Sequence, residues 1–352
     1  MTVVGVDCSA PSFEGWVTGK APSNDMPLEF QMRAKLNLNA DSLPPVYVTA
    51  YADGGYFQHA VVMCASVERH ANPKRPYEIF LFYSDCNNQL LKKAQISFDR
   101  FRSNVNVRLI ELEEEGLQKL EAKKNYLSGS IYNKIYVFRF LPKYVEKILF
   151  LDSDIVVRAD VSNLFDIGLK GRLLAAVREK NALLGEAGEE ELATLGLASW
   201  DYYFNSGVML IDLVRWREEK VSERAFAFCV HSWHKTRLHD QDAYNAVVNG
   251  DWLPVDPRWN PRALNLIHVQ GGTDVVMSNR EIYESQMEFL IHYSGGDKPW
   301  SFRSRHPARK WYRKYLKTTE FSDYKYPDVT VKNVLFMFVW VVKENVHRFS
   351  SG

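Results

Sequence analysis

Apolar residues along the chain gather into short unbroken runs, and between these runs they recur at helical spacing. The run Ile148-Leu149-Phe150-Leu151, entered from Lys147, is strand-length and has no polar interruption, the pattern of a central strand buried on both faces of a parallel sheet. Val46–Ala50, Glu78–Tyr83, Val105–Leu112, Leu173–Val177 and Tyr202–Asp212 read as further strands. Phe57, Ala60, Val61, Cys64 and Ala65 share one face of a helix running to His70. Helices are also expected over 88–101, 132–144 and 222–236, with His239-Asp240-Gln241-Asp242 opening another. Strands that alternate with helices define an α/β fold, a Rossmann-like and largely parallel sheet flanked by helices. Residues 1–44 mix Gly, Pro, Ser and Asp without a period and read as an N-terminal extension of no assigned role. The catalytic domain is expected over 45–300, and a basic, aromatic helical tail over 301–352.

Composition narrows the function. With 352 residues and 46% hydrophobic content the chain can bury a sizeable core. Lys+Arg 44 against Asp+Glu 43 leaves a net charge of +1, so no global field points to nucleic acid. Cysteines at 8, 64, 86 and 229 form no C-x-x-C pair and read as reduced thiols. Neither a signal peptide nor an apolar stretch of about 20 residues is present in the sequence, and the expected location is cytoplasmic.

The chemistry concentrates at a few strand ends. The central run continues into Asp152-Ser153-Asp154, and because side chains alternate along extended backbone, the two carboxylates point one way at the carboxyl end of the strand. Open α/β sheets bind ligands at that end, and a hard dication carrying phosphates uses one or two carboxylates. A turn whose aspartates cap the next helix is the alternative. Asp53-Gly54-Gly55 follows the first strand, where two glycines permit either a ligand's approach or a sharp reversal. Lys134 and Arg139 reach toward phosphates or lie along the surface. Asn205-Ser206-Gly207 interrupts an otherwise apolar strand, as a bulge or a close approach would require. In Asp240-Gln241-Asp242 one aspartate serves the backbone while Gln241 faces a cleft. His292, Gly295, Gly296 and Lys298 combine a transition-metal ligand, exposed amides and a point charge for phosphate. The acidic turn Glu113–Gly116 reads as a solvated loop, and 185–199 as a mobile loop or short helix.

Taken together these segments resemble glycosyltransferase family eight, the retaining GT-A class. The resemblance covers about residues 46–300 and rests on Leu151-Asp152-Ser153-Asp154, Phe204-Asn205-Ser206-Gly207-Val208, Asp240-Gln241-Asp242 and His292-Tyr293-Ser294-Gly295 with Lys298-Pro299-Trp300. It implies a GT-A fold and transfer of glucose or galactose from a UDP-sugar to a glycan or glycolipid hydroxyl. Asp152, Asp154 and His292 would hold Mn²⁺ or Mg²⁺, the imidazole favouring manganese. Tyr51, Asp53, Lys134, Ser153, Glu179, Gly295 and Lys298 would contact the donor, with Asn205, Asp240, Gln241 and Asp242 around the reacting carbon. Gly54-Gly55 departs from the family pattern, as does Glu179, where the family usually has Asp, while Lys134 stands where an Arg or Lys contacts the phosphates. A neutral amide such as Gln241 is a poor nucleophile, which favours front-face attack over the double displacement of retaining glycosidases. A self-glucosylating, glycogenin-like enzyme, a silent UDP-sugar-binding protein and a metal-dependent nucleotidyltransferase are the competing readings.

Beyond the motifs, eight Lys/Arg and no acidic residue lie between Lys298 and Lys317. There Ala308, Trp311, Tyr312, Tyr315 and Leu316 share one side of a helical pattern. Such a basic amphipathic helix fits an anionic membrane surface, as does the apolar run Val334–Val342; a tail folded back onto the core is the other possibility.

Overall fold

The structure is a computed structural model that describes residues 43–112, 129–179, 189–261 and 287–350. The extension up to residue 42, the acidic turn Glu113–Gly116 and the first part of the 185–199 segment lie outside these residues.

Nine strands are described: β1 Val46–Ala52, β2 Tyr77–Tyr83, β3 Val105–Glu111, β4 Lys147–Leu151, β5 Ile155–Val157, β6 Leu174–Arg178, β7 Phe204–Asp212, β8 Trp252–Pro254 and β9 Leu290–His292. Seven of them form one sheet in the order β3-β2-β1-β4-β7-β6-β8, while β5 and β9 pair separately. β1 is parallel to β2 and to β4, β2 to β3, and β6 to β8; only β7 runs against its neighbours β4 and β6. The sheet is therefore largely parallel, as the alternation of strands and helices predicts. Strand order reverses between β1 and β4, and the crevice at their carboxyl ends is the switch point where such sheets take ligands. Asp53 and Asp152 follow these two strands directly.

Alternation along the strands divides the core in two. Leu149 and Leu151 of β4 join Val46, Val48 and Ala50 on one face, while Ile148 and Phe150 join Tyr51 and Phe80 on the other. The first face is covered by helix α1, Phe57–His70, which is buried without interruption from Ala60 to Val67. A helix apolar all round must be enclosed on more than one side, and α1 lies between the sheet and a C-terminal helix. After α2, Asn88–Phe98, the chain reaches α3, Gly129–Tyr136. α3 gives way to a 3₁₀ turn at Val137–Arg139 instead of continuing to residue 144 as expected. Pro142 disfavours helical backbone just before it. Residues Glu189–Leu195 form the short helix α4, the helical alternative for that segment. Helices α5, Val221–Ser232, and α6, His239–Val248, cover the second face.

The tail departs from the membrane expectation. Helix α7, Arg309–Leu316, turns Tyr312, Tyr315 and Leu316 into the core together with Ala308. Tyr312 Oη lies 2.5 Å from His59 Nδ1, and Tyr315 Oη 2.8 Å from His70 Nε2, both on α1. The aromatic face expected to enter a lipid surface thus closes the second side of α1. Burial of these rings yields more in a packed core, where the histidines partner the hydroxyls, than at an interface. Farther on, helix α8, Val331–Ser350, leaves Val331 79%, Leu335 60% and Phe338 67% exposed. Among the described residues no helix is long and apolar enough to cross a membrane.

Candidate active site

The turn between β4 and β5 carries Asp152, Ser153 and Asp154, and pairing of β5 with β9 sets His292 against Ile155. Two backbone bonds hold the junction: Asp152 N–H donates to Gly207 O at 2.8 Å, and Tyr293 N–H to Asp154 O at 3.0 Å. One ligand atom from each of Asp152, Asp154 and His292 falls within 4.8 Å of the others. His292 Nε2 stands 3.2 Å from Asp154 Oδ1 and 3.7 Å from Asp152 Oδ2. The other oxygen of each carboxylate takes a lysine: Lys134 Nζ lies 2.8 Å from Asp152 Oδ1, and Lys298 Nζ 2.5 Å from Asp154 Oδ2. Each aspartate therefore turns one oxygen outward to a cation and one inward to the point that His292 faces.

This set fits a divalent metal. Two carboxylate oxygens and one imidazole nitrogen supply two negative charges and a borderline donor, leaving further coordination positions for phosphate oxygens. The backbone is shaped to the ligands as well. A Cβ at Gly207 would fall 2.4 Å from His292 Cε1 and 2.8 Å from Asp152 Oδ2, so only glycine fits there. The Asn205-Ser206-Gly207 break meets both expectations: Asp152 and His292 approach the strand closely there, and the pairing of β7 with β6 shifts register between Phe204 and Met209.

Electrostatics sharpen the difference between the two aspartates. Burial pushes Asp152 above the ordinary carboxylate value, with Lys134 pulling it back and Asp154 adding to the rise. Burial also pushes Asp154 up, but His292 and Lys298 outweigh it and hold this carboxyl well below the usual range. Lys134 is depressed by burial, yet Asp152 and Asp240 more than compensate, and it stays a cation. It also reaches Asp240 Oδ2 at 2.7 Å, joining the metal cluster to the head of α6.

The head of α6 has three different roles in three consecutive residues. Asp242 is buried, its Oδ2 accepting from the N–H groups of Arg237 at 2.9 Å and Leu238 at 2.8 Å, its Oδ1 from the hydroxyl of Tyr203. Burial and Asp242 raise the Tyr203 hydroxyl well above 10.0, so Tyr203 keeps its proton and donates it. The same hydroxyl accepts from Gln241 Nε2 at 3.2 Å, while Gln241 Oε1 accepts from Ser206 N–H at 3.1 Å. Asn245 completes the docking by pairing both ends of its amide with the backbone of Phe204. Asp242 thus serves the backbone, Asp240 faces the metal cluster through Lys134, and Gln241 is locked against β7.

The remaining expected residues occupy the neighbouring strand ends. Tyr51 Oη lies 2.8 Å from Ser84 Oγ and accepts from Asn133 Nδ2 at 2.9 Å, next to Lys134 in sequence. Asp53 Oδ1 accepts from Tyr56 N–H at 3.1 Å, ahead of α1. Gly54 is explained by packing, since a Cβ there would sit 2.3 Å from Asp85 O. Gly295 takes the left-handed conformation, with φ of 89°. Trp300 stacks on His59 at 3.6 Å between ring centroids, which ties the Lys298-Pro299-Trp300 segment to α1. Glu179 Oε2 accepts from Asn205 Nδ2 at 2.8 Å. Two residues absent from the sequence reading belong here: Tyr203, and Asn260, which lies 2.8 Å from His292 Nδ1. Asn260 follows the turn Asp256-Pro257-Arg258-Trp259, where a capping Asp and a Pro at the first position mark a short helix and Trp259 anchors it. That cue was available, though the role of the amide after it was not.

A Rossmann-like sheet with two aspartates and a histidine converging at its switch point defines a ligand-binding crevice able to hold a divalent ion. The sequence profile of "Glycosyl transferase family 8" matches residues 47–304, and the chain belongs to that family. It is 25% identical over 285 residues to General stress protein A of Bacillus subtilis, covering 79% of this chain and 95% of that one. It is 27% identical over 227 residues to the lipopolysaccharide 1,2-glucosyltransferase of Escherichia coli, covering 63% and 64% of the two chains. Among solved structures, the galactosyltransferase LgtC in complex with donor and acceptor sugar analogs shares the fold at a TM-score of 0.61 and 19% identity, covering 82% and 98%. The bifunctional glycosyltransferase WbbM does so at 0.60 and 21%, covering 80% of this chain and 51% of its own.

Proposed function

We propose that the chain is a retaining, Mn²⁺-dependent hexosyltransferase that moves glucose or galactose from its UDP-sugar to a hydroxyl of a lipid-linked or cell-surface glycan. The observation that carries this reading is the convergence of Asp152, Asp154 and His292 on one point at the switch crevice, with Lys134 and Lys298 beside it. A bound dication there supplies positive charge against the departing diphosphate. Lys298 and the backbone around Gly295 bind the diphosphate, and Tyr51 and Asp53 lie where the nucleoside would rest at the neighbouring strand end. Gln241 Oε1 accepts one bond and keeps a lone pair, which suits it to face positive charge growing on the sugar. Because the best-placed residue of the Asp240-Gln241-Asp242 motif is an amide and a poor nucleophile, the acceptor attacks from the face that the diphosphate leaves, and a phosphate oxygen takes its proton. The names of the lipopolysaccharide glucosyltransferase and of the galactosyltransferase LgtC support a hexose donor and a glycan acceptor.

The test is metal-dependent UDP release across a panel of UDP-sugars, with Asp152→Asn and Asp154→Asn as controls. Both variants are expected to fold, by circular dichroism, and to lose nearly all turnover. A folded Asp152→Asn protein releasing UDP at the parent rate would sink the metal assignment.

Attachment to an anionic membrane, expected on the cytoplasmic side, is part of the same proposal, and with α7 buried it rests on α8. Its exposed Val331, Leu335 and Phe338 form the apolar part, and the basic segment before it supplies charge complementary to anionic headgroups. Leu335→Glu with Phe338→Glu should abolish co-sedimentation with phosphatidylserine vesicles without lowering turnover on a soluble acceptor. Unchanged sedimentation would remove the membrane from the proposal.

A further inference from the structure

We infer that Glu179, Asn205 and Asn260 form an amide relay that fixes His292 in its Nδ1–H tautomer, making Asn260 a positioning residue for the metal. The inference rests on the metal reading above and concerns residues that do not themselves touch the ion. Four side chains, each at most 4% exposed, make one continuous line. Asn205 Nδ2 donates to Glu179 Oε2 at 2.8 Å, and Asn260 Nδ2 donates to Asn205 Oδ1 at 2.7 Å. Asn260 Oδ1 then faces His292 Nδ1 at 2.8 Å.

Amide orientations are ordinarily ambiguous, because oxygen and nitrogen look alike and either can be turned to a neighbour. Here two fixed partners of Asn205 remove the choice. Gly207 N–H, which can only donate, points at Asn205 Oδ1 from 2.9 Å. The Glu179 carboxylate, which can only accept, faces the other end of the same amide. Asn205 must therefore present its oxygen to Asn260, Asn260 must answer with its NH₂, and its own oxygen is left for the imidazole. Nδ1 has to carry a hydrogen, so that when an ion lies between Asp152 and Asp154 the ring meets it with the lone pair of Nε2, the nitrogen that faces both. The opposite tautomer would set a lone pair against the Asn260 oxygen and an N–H where the ion binds.

Placing four polar side chains in the interior is costly unless each is satisfied, and apolar residues would fill the same space more cheaply. What the line gains is direction. Metal-ligating histidines depend on the partner of their other nitrogen for orientation and basicity, and loss of that partner typically lowers metal affinity about 10–100-fold. The relay also limits Asn205: its oxygen already accepts two bonds, so only an N–H remains to meet a donor sugar.

The wild-type protein, with ring-labelled histidine and a His292→Gln control for assignment, gives the first measurement. With Mg²⁺ and UDP bound, ¹⁵N–¹H correlation should show His292 protonated at Nδ1; a ring with no hydrogen on Nδ1 would overturn the relay. The second measurement is Mn²⁺ affinity from the free-ion EPR signal in the presence of UDP. Asn260→Ala is expected to bind Mn²⁺ about 10–100-fold more weakly, and Asn260→Asp, which keeps an acceptor for Nδ1 but loses the donor to Asn205 Oδ1, to recover only part of the loss. A folded Asn260→Ala protein with parental Mn²⁺ affinity would refute the relay alone. A wild-type protein that binds no Mn²⁺ would refute the metal reading and the relay with it.

Discussion

Replacing Gly207 by alanine adds one methyl group at the tightest point of the site. The new Cβ would lie 2.4 Å from His292 Cε1 and 2.8 Å from Asp152 Oδ2, whereas non-bonded carbons settle at about 3.5–4.0 Å. Relief therefore needs a displacement of roughly 1 Å, and the structure offers no free direction for it. The His292 ring is held through Nδ1 by Asn260, its backbone by pairing with β5, and Asp152 by its N–H on Gly207 O. Overpacking of this kind costs about 1–3 kcal/mol, which a domain of this size survives. The functional cost is larger, because a misplacement of about 1 Å at a reacting centre can lower a rate on the order of 10²-fold. Gly207→Ala should thus melt only a few degrees early, bind Mn²⁺ weakly and release UDP on the order of 10²-fold more slowly. Thermal melts with and without Mn²⁺, alongside UDP release, make the check. A folded Gly207→Ala protein that keeps both Mn²⁺ affinity and rate would show that the ligands have room, and would refute the argument from contact.

Gln241→Ala should lower kcat far more than it raises KM for the donor, since a group acting on developing charge matters mainly in the transition state; equal effects would make Gln241 a substrate-positioning group. Acid should loosen the seat of α7. Burial holds His59 and His306 down to about 3 from 6.5, so below 6.5 the unfolded chain takes up protons that the folded one refuses. Their contribution is complete above pH 6.5 and is lost as pH falls toward about 3, with a limiting slope of about 1.4 kcal/mol per pH unit for each group. Urea midpoints measured across that window should fall with acidification, and less so in His59→Gln; identical slopes would remove His59 from the account.

Most of the sheet was legible because a strand buried on both faces needs an unbroken apolar run, as in Ile148–Leu151. Asp152 and Asp154 stood out since charge directly after such a run marks where burial ends. Asn260 did not, because its role exists only through partners 32 and 55 positions away, and a lone amide after a short turn has many uses. The tail shows another limit of periodicity. A pattern that places Tyr312, Tyr315 and Leu316 on one side requires an apolar surface but does not say whether lipid or protein provides it. The discriminating sign lay elsewhere, in Ala60-Val61-Val62-Met63-Cys64-Ala65, whose lack of a polar side required α1 to be covered twice.

The ligands of the candidate metal centre come from the middle and the far end of the catalytic region. Lys298 and the Asp154 it binds are 144 positions apart, and His292 is nearly as distant from Asp152. At a synthesis rate of about 5–20 residues per second, the nascent chain carries its aspartates for many seconds before the histidine emerges. During that interval β4 can pair with β1, and no ion can be held by the full set of ligands. Binding of a divalent ion at this centre would thereby be tied to completion of the fold, and its uptake on the ribosome would report that the chain has been translated past β9.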